Sequence, residues 1–424
     1  VKRHHFPKRA DYIQQLENIG FNYWDLPSGP EQLPYWQEGV TYAFSETQID
    51  RIQEATQCLH DMAIEMVSSM VKAGDYPDYF ALDEQSKHLI EQSWYRADRS
   101  LLGRFDLVYD GHTEIKMLEY NGDTPVSILE CSVAQWHYIE QLSRFPESLS
   151  EIVPELIFPD QLRIQYNLLD EHLLEYWQQY YKPQTLIHFA ASGGFRHEDW
   201  GNLIYIMDTA SRAGMKVKAL QMQEIGWTDT QQFVDLQGSE IKNIFKLYPW
   251  EWMREESFGQ HVSQARTRWM EPAWKMLLSN KAMLVKLWQM FPHHPYLLAA
   301  YSEKDLAHMH DGQWCKKAIH GREGANIHRV LKHEGQIVSD QLAQGSHFVA
   351  EYVDWGYVYQ AWHDLPVHEG YHPIIGSWVI DDRACGMSIR EDKNLVTGND
   401  AYFASHFFVP YALESRYQRL YSDE

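Results

Sequence analysis

The chain has 424 residues, of which 23% are charged and 14% aromatic. This is globular composition, at a length beyond what one hydrophobic core usually serves, so two or more subdomains are expected. A formal net charge of −22 argues against nucleic acid as a partner, because phosphate binding rests on clustered Lys and Arg; it would suit a cationic ligand, although solubility alone accounts for such acidity. Cys58, Cys131, Cys315 and Cys385 form no CxxC pattern, which suggests neither a zinc site nor a disulfide framework and fits a reducing cytoplasm, and the lack of an 18-residue apolar run leaves no membrane span to expect.

From Ser45 the stretch SETQIDRIQEATQCLHDMAIEMVSSMVKAG places Ile49, Ile52, Leu59, Met62, Met66, Met70 and Val71 at three- and four-residue spacings, which predicts an amphipathic helix. Ser45 and Gln48 suit a capping box and Gly74 a stop, and the Met stripe reads as core packing. Residues 105 to 120 then alternate about Asp110-Gly111 and read as a β-hairpin. Further on, LIHFAA at 186–191, a helical stretch from Asp199 to Arg212, and KVKAL at 216–220 predict a βαβ unit. The region from about 281 to 365 mixes KAMLVKLWQMF, HGREGANI and SHFVAEYV and reads as a smaller α+β subdomain. Ile374–Ile380, a turn at Asp381–Arg383 and Cys385–Ile389 read as strand, turn, strand.

The hairpin carries more oxygen ligands than solubility needs. With a two-residue loop at either Asp110-Gly111 or Gly111-His112, paired residues sum to an odd number, which puts Arg104, Asp106, Ile115, Met117, Glu119 and Asn121 on one face. The second register sets Glu119 opposite Arg104 and diagonal to Asp106. Two carboxylates and an amide oxygen are hard ligands that leave positions for water and phosphate, as magnesium prefers, and Arg104 beside them would meet phosphate or a developing oxyanion. An exposed acidic face with a surface salt bridge is the simpler account of the hairpin alone. NGDTP weakens it, since a turn there can offer N–H groups and a Thr hydroxyl to an anion.

A second constellation, KKAIHGREGANI at 316–327, suits a flexible basic flap over phosphates but lacks the ending of a Walker A loop; alone, an ordinary turn explains it. Arg390 closes a late strand from which it could join the same site. His293, His294, His308 and His310 are turn-like or lack a third ligand at helical spacing, and are assigned no site.

Taken together, GRFD, EYNGDTP, FKLYPWEWM, NKAMLVKLWQMFPHHPYLL, GREGANI, VYQAWHDLP and IGSWVIDDRACGMSIRED, in that order over roughly residues 100–400, resemble the synthetase portion of the glutathionylspermidine synthase family. The N-terminal YWDLPSGPEQLPYW resembles its opening, and the likeness is greatest to the shorter acid–amine ligase members. No amidase domain fits ahead of this region and Cys58 lies within the predicted helix, so amidase activity is not expected.

The resemblance implies an α/β (α+β), ATP-grasp-like fold over 1–424, with ATP between a core sheet and a mobile lid subdomain at about 281–365. It places Arg104 on the catalytic arginine and Asp106, Glu119 and Asn121 on ligands of magnesium, two ions in all. Lys281, Lys317, Arg322 and Arg390 fall on positions contacting nucleotide or phosphate, with Glu323 and Gly324 in the lid loop. Gln360, Ala361, Trp362 and His363 correspond to the segment beside adenine, and Leu395 and Val396 to apolar contacts near it. Glu198 and Asp199 match an acidic pair on the acid-substrate side. Thr124-Pro125-Val126 replaces the Ser-x-Ser that helps hold glutathione in relatives, a departure that bears on the acid used.

The implied reaction is ATP-dependent amide formation through an acyl phosphate, joining a small-molecule or peptide acid to a polyamine-like amine. The rival expectations are a nucleotide-binding regulatory protein on the same fold without turnover, and a phosphoryl transferase that needs no amine.

Overall fold

In this computed structural model the described residues are 1–25, 34–143, 164–194, 197–398 and 401–420. Most of the YWDLPSGPEQLPYW stretch lies outside them. Among the described residues there are three larger sheets and one of two short strands, and the largest has seven strands in the order Lys2–His5, Trp36–Ser45, Tyr402–Val409, Arg383–Asp392, His372–Ile380, Leu102–Tyr109 and Ile115–Asn121. All neighbours in it are antiparallel except Tyr402–Val409 on Trp36–Ser45.

One face of this sheet is covered by the helix Glu46–Ala73. The Ser45–Gln48 capping box is present at its start, and Gly74 ends it in the left-handed conformation at φ 62°. Ile49, Ile52, Leu59, Met62, Met66, Met70 and Val71 are all buried, so the Met stripe is core. Phe105, Leu107, Ile375, Met387 and Ile389 join the same apolar cluster, and the Thr56 and Ser377 hydroxyls hydrogen-bond at 2.6 Å between helix and sheet. The alternate residues of these strands therefore face the other way.

The hairpin forms, but its turn differs from the expected two-residue loop. The strands end at Tyr109 and resume at Ile115, because the Asp110 carboxylate accepts hydrogen bonds from the N–H groups of His112, Thr113 and Glu114 and closes a wider turn. A bulge at Leu118 then restores the odd-sum pairing, giving Asp106↔Glu119 and Arg104↔Asn121 beyond it, while Leu107↔Met117 and Tyr109↔Ile115 pair before it. Ile115 and Met117 accordingly face the helix-covered core, not the face of Asp106. Glu119 stands opposite Asp106, and it is Asn121 that stands opposite Arg104.

The βαβ unit is present as Leu186–Ala191, Glu198–Arg212 and Lys216–Gln221. Its two strands belong to a four-stranded parallel sheet with Asn243–Leu247 and Arg268–Met270. Between 300 and 361 lies a five-stranded antiparallel sheet with a small core of Met309, Trp314, Val330 and Tyr359. The late hairpin turns through Asp381 and Asp382, both at positive φ, and Arg383 already begins the returning strand.

Candidate active site

The face of the large sheet turned away from the helix carries Arg104, Asp106, Glu119, Asn121 and Arg390, with Gly376 directly across from Asp106. That glycine is needed for space. A Cβ there would stand 2.5 Å from Ser388 Oγ and 2.9 Å from Arg104 Cδ, so its absence lets the arginine lie across the sheet. Arg104 Nε donates to Asp106 Oδ1 at 2.8 Å and Nη1 to the Val126 carbonyl at 2.7 Å, while Arg390 Nη2 reaches Asp106 Oδ2 at 3.4 Å.

The edge of this sheet meets the sheet of residues 300–361. Lys317 Nζ donates to the Leu118 carbonyl at 2.9 Å and to Gln360 Oε1 at 2.7 Å, and Gln360 Nε2 donates to the Met117 carbonyl at 3.0 Å. Those carbonyls lie at the bulge, on the outer edge of the terminal strand, where no further strand of the described residues takes them. Lys281 Nζ binds Glu119 Oε2 at 3.0 Å and the Gly321 carbonyl at 2.6 Å. Burial pushes the Glu119 carboxyl up, but Lys281, Lys317 and Arg104 outweigh it and bring it down to about 2.

Between the sheets opens a cleft of about 800 Å³, within the range of small-molecule sites. All nineteen residues singled out in the sequence line it. They are Arg104, Asp106, Glu119, Asn121, Thr124, Glu198, Asp199, Lys281, Lys317, Arg322, Glu323, Gly324, Gln360, Ala361, Trp362, His363, Arg390, Leu395 and Val396. Five are cations, gathered in a chain whose net charge is −22. Arg322 Nη1 donates to Thr124 Oγ1 at 2.9 Å and Nη2 to Glu251 Oε1 at 2.5 Å. Gly324, at φ +73°, brings the GREG backbone against Val396, where a Cβ would meet the valine methyl at 2.9 Å.

Glu198 and Asp199 occupy the first turn of the helix Glu198–Arg212, with the His197 side chain capping the Asp199 N–H. Burial raises both carboxyls, and the neighbouring Glu130 adds to the rise at Glu198. Glu130 is fully buried.

Asp106 and Glu119 face each other with the Asn121 amide beside them, a donor set that fits magnesium. Arg104, Arg390 and Lys281 now supply positive charge to the two carboxylates. Among the described residues no group of three or more His, Cys, Asp or Glu could hold a metal, so a site here would rest on two carboxylates and an amide. Sequence reasoning gave no role to Asp123, Lys246, Glu251 or Trp252. FKLYPWEWM was the available signal, but nothing in it reveals which turn or loop it grips.

With several sheets and this cleft between them, the chain is an α/β protein, and its ATP-grasp type rests on the likenesses that follow. A glutathione synthetase-like effector of Globodera pallida, solved in its apo form, superposes with a TM-score of 0.51 at 11% identity, covering 95% of this chain and 100% of that one. The sequence decides the family: the model described as glutathionylspermidine synthase preATP-grasp matches residues 3–409, and the chain belongs to that family. It is 44% identical over 414 residues to a Haemophilus influenzae protein provisionally named an acid–amine ligase, covering 96% of this chain and 98% of that protein. It is also 25% identical to trypanothione synthetase of Crithidia fasciculata, over 82% of this chain but only 53% of the longer relative.

Proposed function

We propose that the protein is an ATP-dependent acid–amine ligase. The observation that carries the reading is that one cleft gathers five cations, four of them (Arg104, Arg390, Lys281 and Lys317) about the facing Asp106 and Glu119 carboxylates and the fifth, Arg322, on Thr124. A triphosphate brings several negative charges into a confined space, and Lys281, Lys317, Arg322 and Arg390 are the groups that would neutralise them. The sheet of residues 300–361 would act as the lid, with Gln360, Ala361, Trp362 and His363 along the base and Leu395 and Val396 beneath it.

Asp106, Glu119 and Asn121 would hold magnesium, which when bound supplies charge neutralisation at the phosphate oxygens. The substrate carboxylate attacks the γ-phosphorus and ADP leaves; an amine then attacks the resulting acyl phosphate and expels inorganic phosphate. Arg104 would stabilise the oxyanion of the second step, and closure would exclude the water that otherwise hydrolyses the acyl phosphate. Glu198, Asp199 and Thr124, which also line the cleft, would meet the acid substrate, read here as a peptide-like or other small acid that is joined to a cationic amine.

The test is an ADP-release screen that pairs small acids and peptides, glutathione included, with polyamines and diamines. Ligation predicts release that needs both partners and magnesium, with mass spectrometry showing the acid–amine product. A Glu119→Ala variant that kept full ligation would sink the metal assignment.

A further inference from the structure

The segment from Lys246 to Trp252 holds two parts of the cleft at once. At its start, Lys246 Nζ donates to Asp123 Oδ1 at 2.6 Å and the Trp250 N–H donates to Asp123 Oδ2 at 2.9 Å, which fixes the NGDTP turn from behind. At its end, Glu251 accepts from Arg322 at 2.5 Å and the Trp252 ring lies 5.7 Å from the same guanidinium. Arg322 in turn donates to Thr124, next to Asp123, so the guanidinium spans from the turn to Glu251 in the short helix Trp250–Glu255. The Glu251 side chain is only 11% exposed. Arg322 lines the cleft while Glu251 does not.

A guanidinium on a glycine-flanked loop has many orientations available, and one charge-assisted hydrogen bond at each Nη selects among them. We infer that Glu251 is a positioning residue for Arg322, setting the guanidinium toward the phosphate end of the cleft through its own carboxylate and the Thr124 hydroxyl. The inference rests on the reading of Arg322 as a nucleotide contact. It assigns to FKLYPWEWM the work of tying the NGDTP turn to the GREG loop.

Two measurements on Glu251→Gln, made on the full chain, test it. In turnover with Mg-ATP, KM for ATP rises roughly 10- to 100-fold, the size of one charge-assisted contact, while kcat and the KM values for acid and amine hold to within about twofold. Arg322→Gln and the double variant then show similar ATP affinity, because both remove the same interaction. Unchanged KM for ATP, or additive losses in the double variant, would overturn the assignment.

The second measurement needs no ATP. Amide hydrogen exchange at residues 321–325 in the ligand-free protein is expected to be about tenfold faster in Glu251→Gln, with the Leu102–Tyr109 strand unchanged. Equal exchange at 321–325 would refute Glu251 as the holder of that loop even if the protein proved not to be a ligase. A wild-type chain that binds no ATP would instead count against the ligase reading alone. If Glu251→Gln fails to fold, Arg322→Lys gives the same exchange readout, since a single ammonium cannot hold Glu251 and Thr124 in the same fork, and unchanged exchange there would likewise refute it.

Discussion

The Leu118 carbonyl accepts a hydrogen bond from the Lys317 ammonium at 2.9 Å, so the bulged residue of the site hairpin is bound by the sheet of residues 300–361. Replacing Lys317 by Met removes a cleft cation and leaves that carbonyl without its partner. We expect ATP affinity to fall at least about tenfold, with a stability loss of roughly 1–3 kcal/mol. Nucleotide binding isotherms and urea unfolding check both, and a variant with wild-type affinity would remove Lys317 from the nucleotide site.

Gly376 makes room for Arg104. In Gly376→Ala the new methyl group meets the Arg104 side chain and Ser388, so Arg104 shifts while the rest of the sheet persists. Turnover should drop on the order of 100-fold, with stability lowered by about 1–3 kcal/mol. Adding Ser388→Ala relieves the 2.5 Å contact and should recover stability but not turnover, as steady-state kinetics and thermal melts of both variants will show.

The Lys246–Asp123 pair is fully buried. Removing one partner strands a charge, so Lys246→Met should cost roughly 3–5 kcal/mol. Asp123→Asn in the same chain keeps an acceptor for the Trp250 N–H while removing the stranded charge, and should restore most of the loss. Urea unfolding of the single and double variants decides; equal damage in both would mean that the turn depends on the ion pair itself.

The pH dependence of stability should report on Glu130. Burial raises its carboxyl above the ordinary 4.5 against the opposing pull of the Tyr35 and Tyr23 hydroxyls, and burial likewise raises that of neighbouring Glu198. A raised carboxyl pKa favours the folded state while the group is protonated. That contribution is complete below the ordinary value and is lost as pH rises through the raised one. Glu130→Gln should therefore be more stable than wild type at about pH 8.5, by roughly 1–3 kcal/mol, and should show no such gain at about pH 5. Thermal melts at the two pH values test this, and a pH-independent difference would contradict it.

Much of the site was legible because β-sheet geometry is simple. Alternation alone put Arg104, Asp106, Glu119 and Asn121 on one face, and that holds where the pairs sum to an odd number. It failed for Ile115 and Met117 because the turn through 110–114 makes the pairs next to it sum to an even number, and it holds again for Glu119 and Asn121 only through the bulge at Leu118, which is gripped by Lys317, Gln360 and the Tyr296 carbonyl, far along the chain. The wide turn was missed because Asp110 serves as its own cap, where Asp110-Gly111 read as a tight loop. The capping box at Ser45 and Gln48 was legible because both partners lie within one turn of helix. Glu251 was illegible for the opposite reason: its partner Arg322 is 71 residues further on, in another sheet's connection.

Ligation is tested most directly by following oxygen. With an acid labelled with oxygen-18 in its carboxylate and an amine that supports ADP release, the account predicts one labelled oxygen in the phosphate produced and one amide formed per ADP. ADP formed without the amine, or phosphate free of label while amide accumulates, would contradict it.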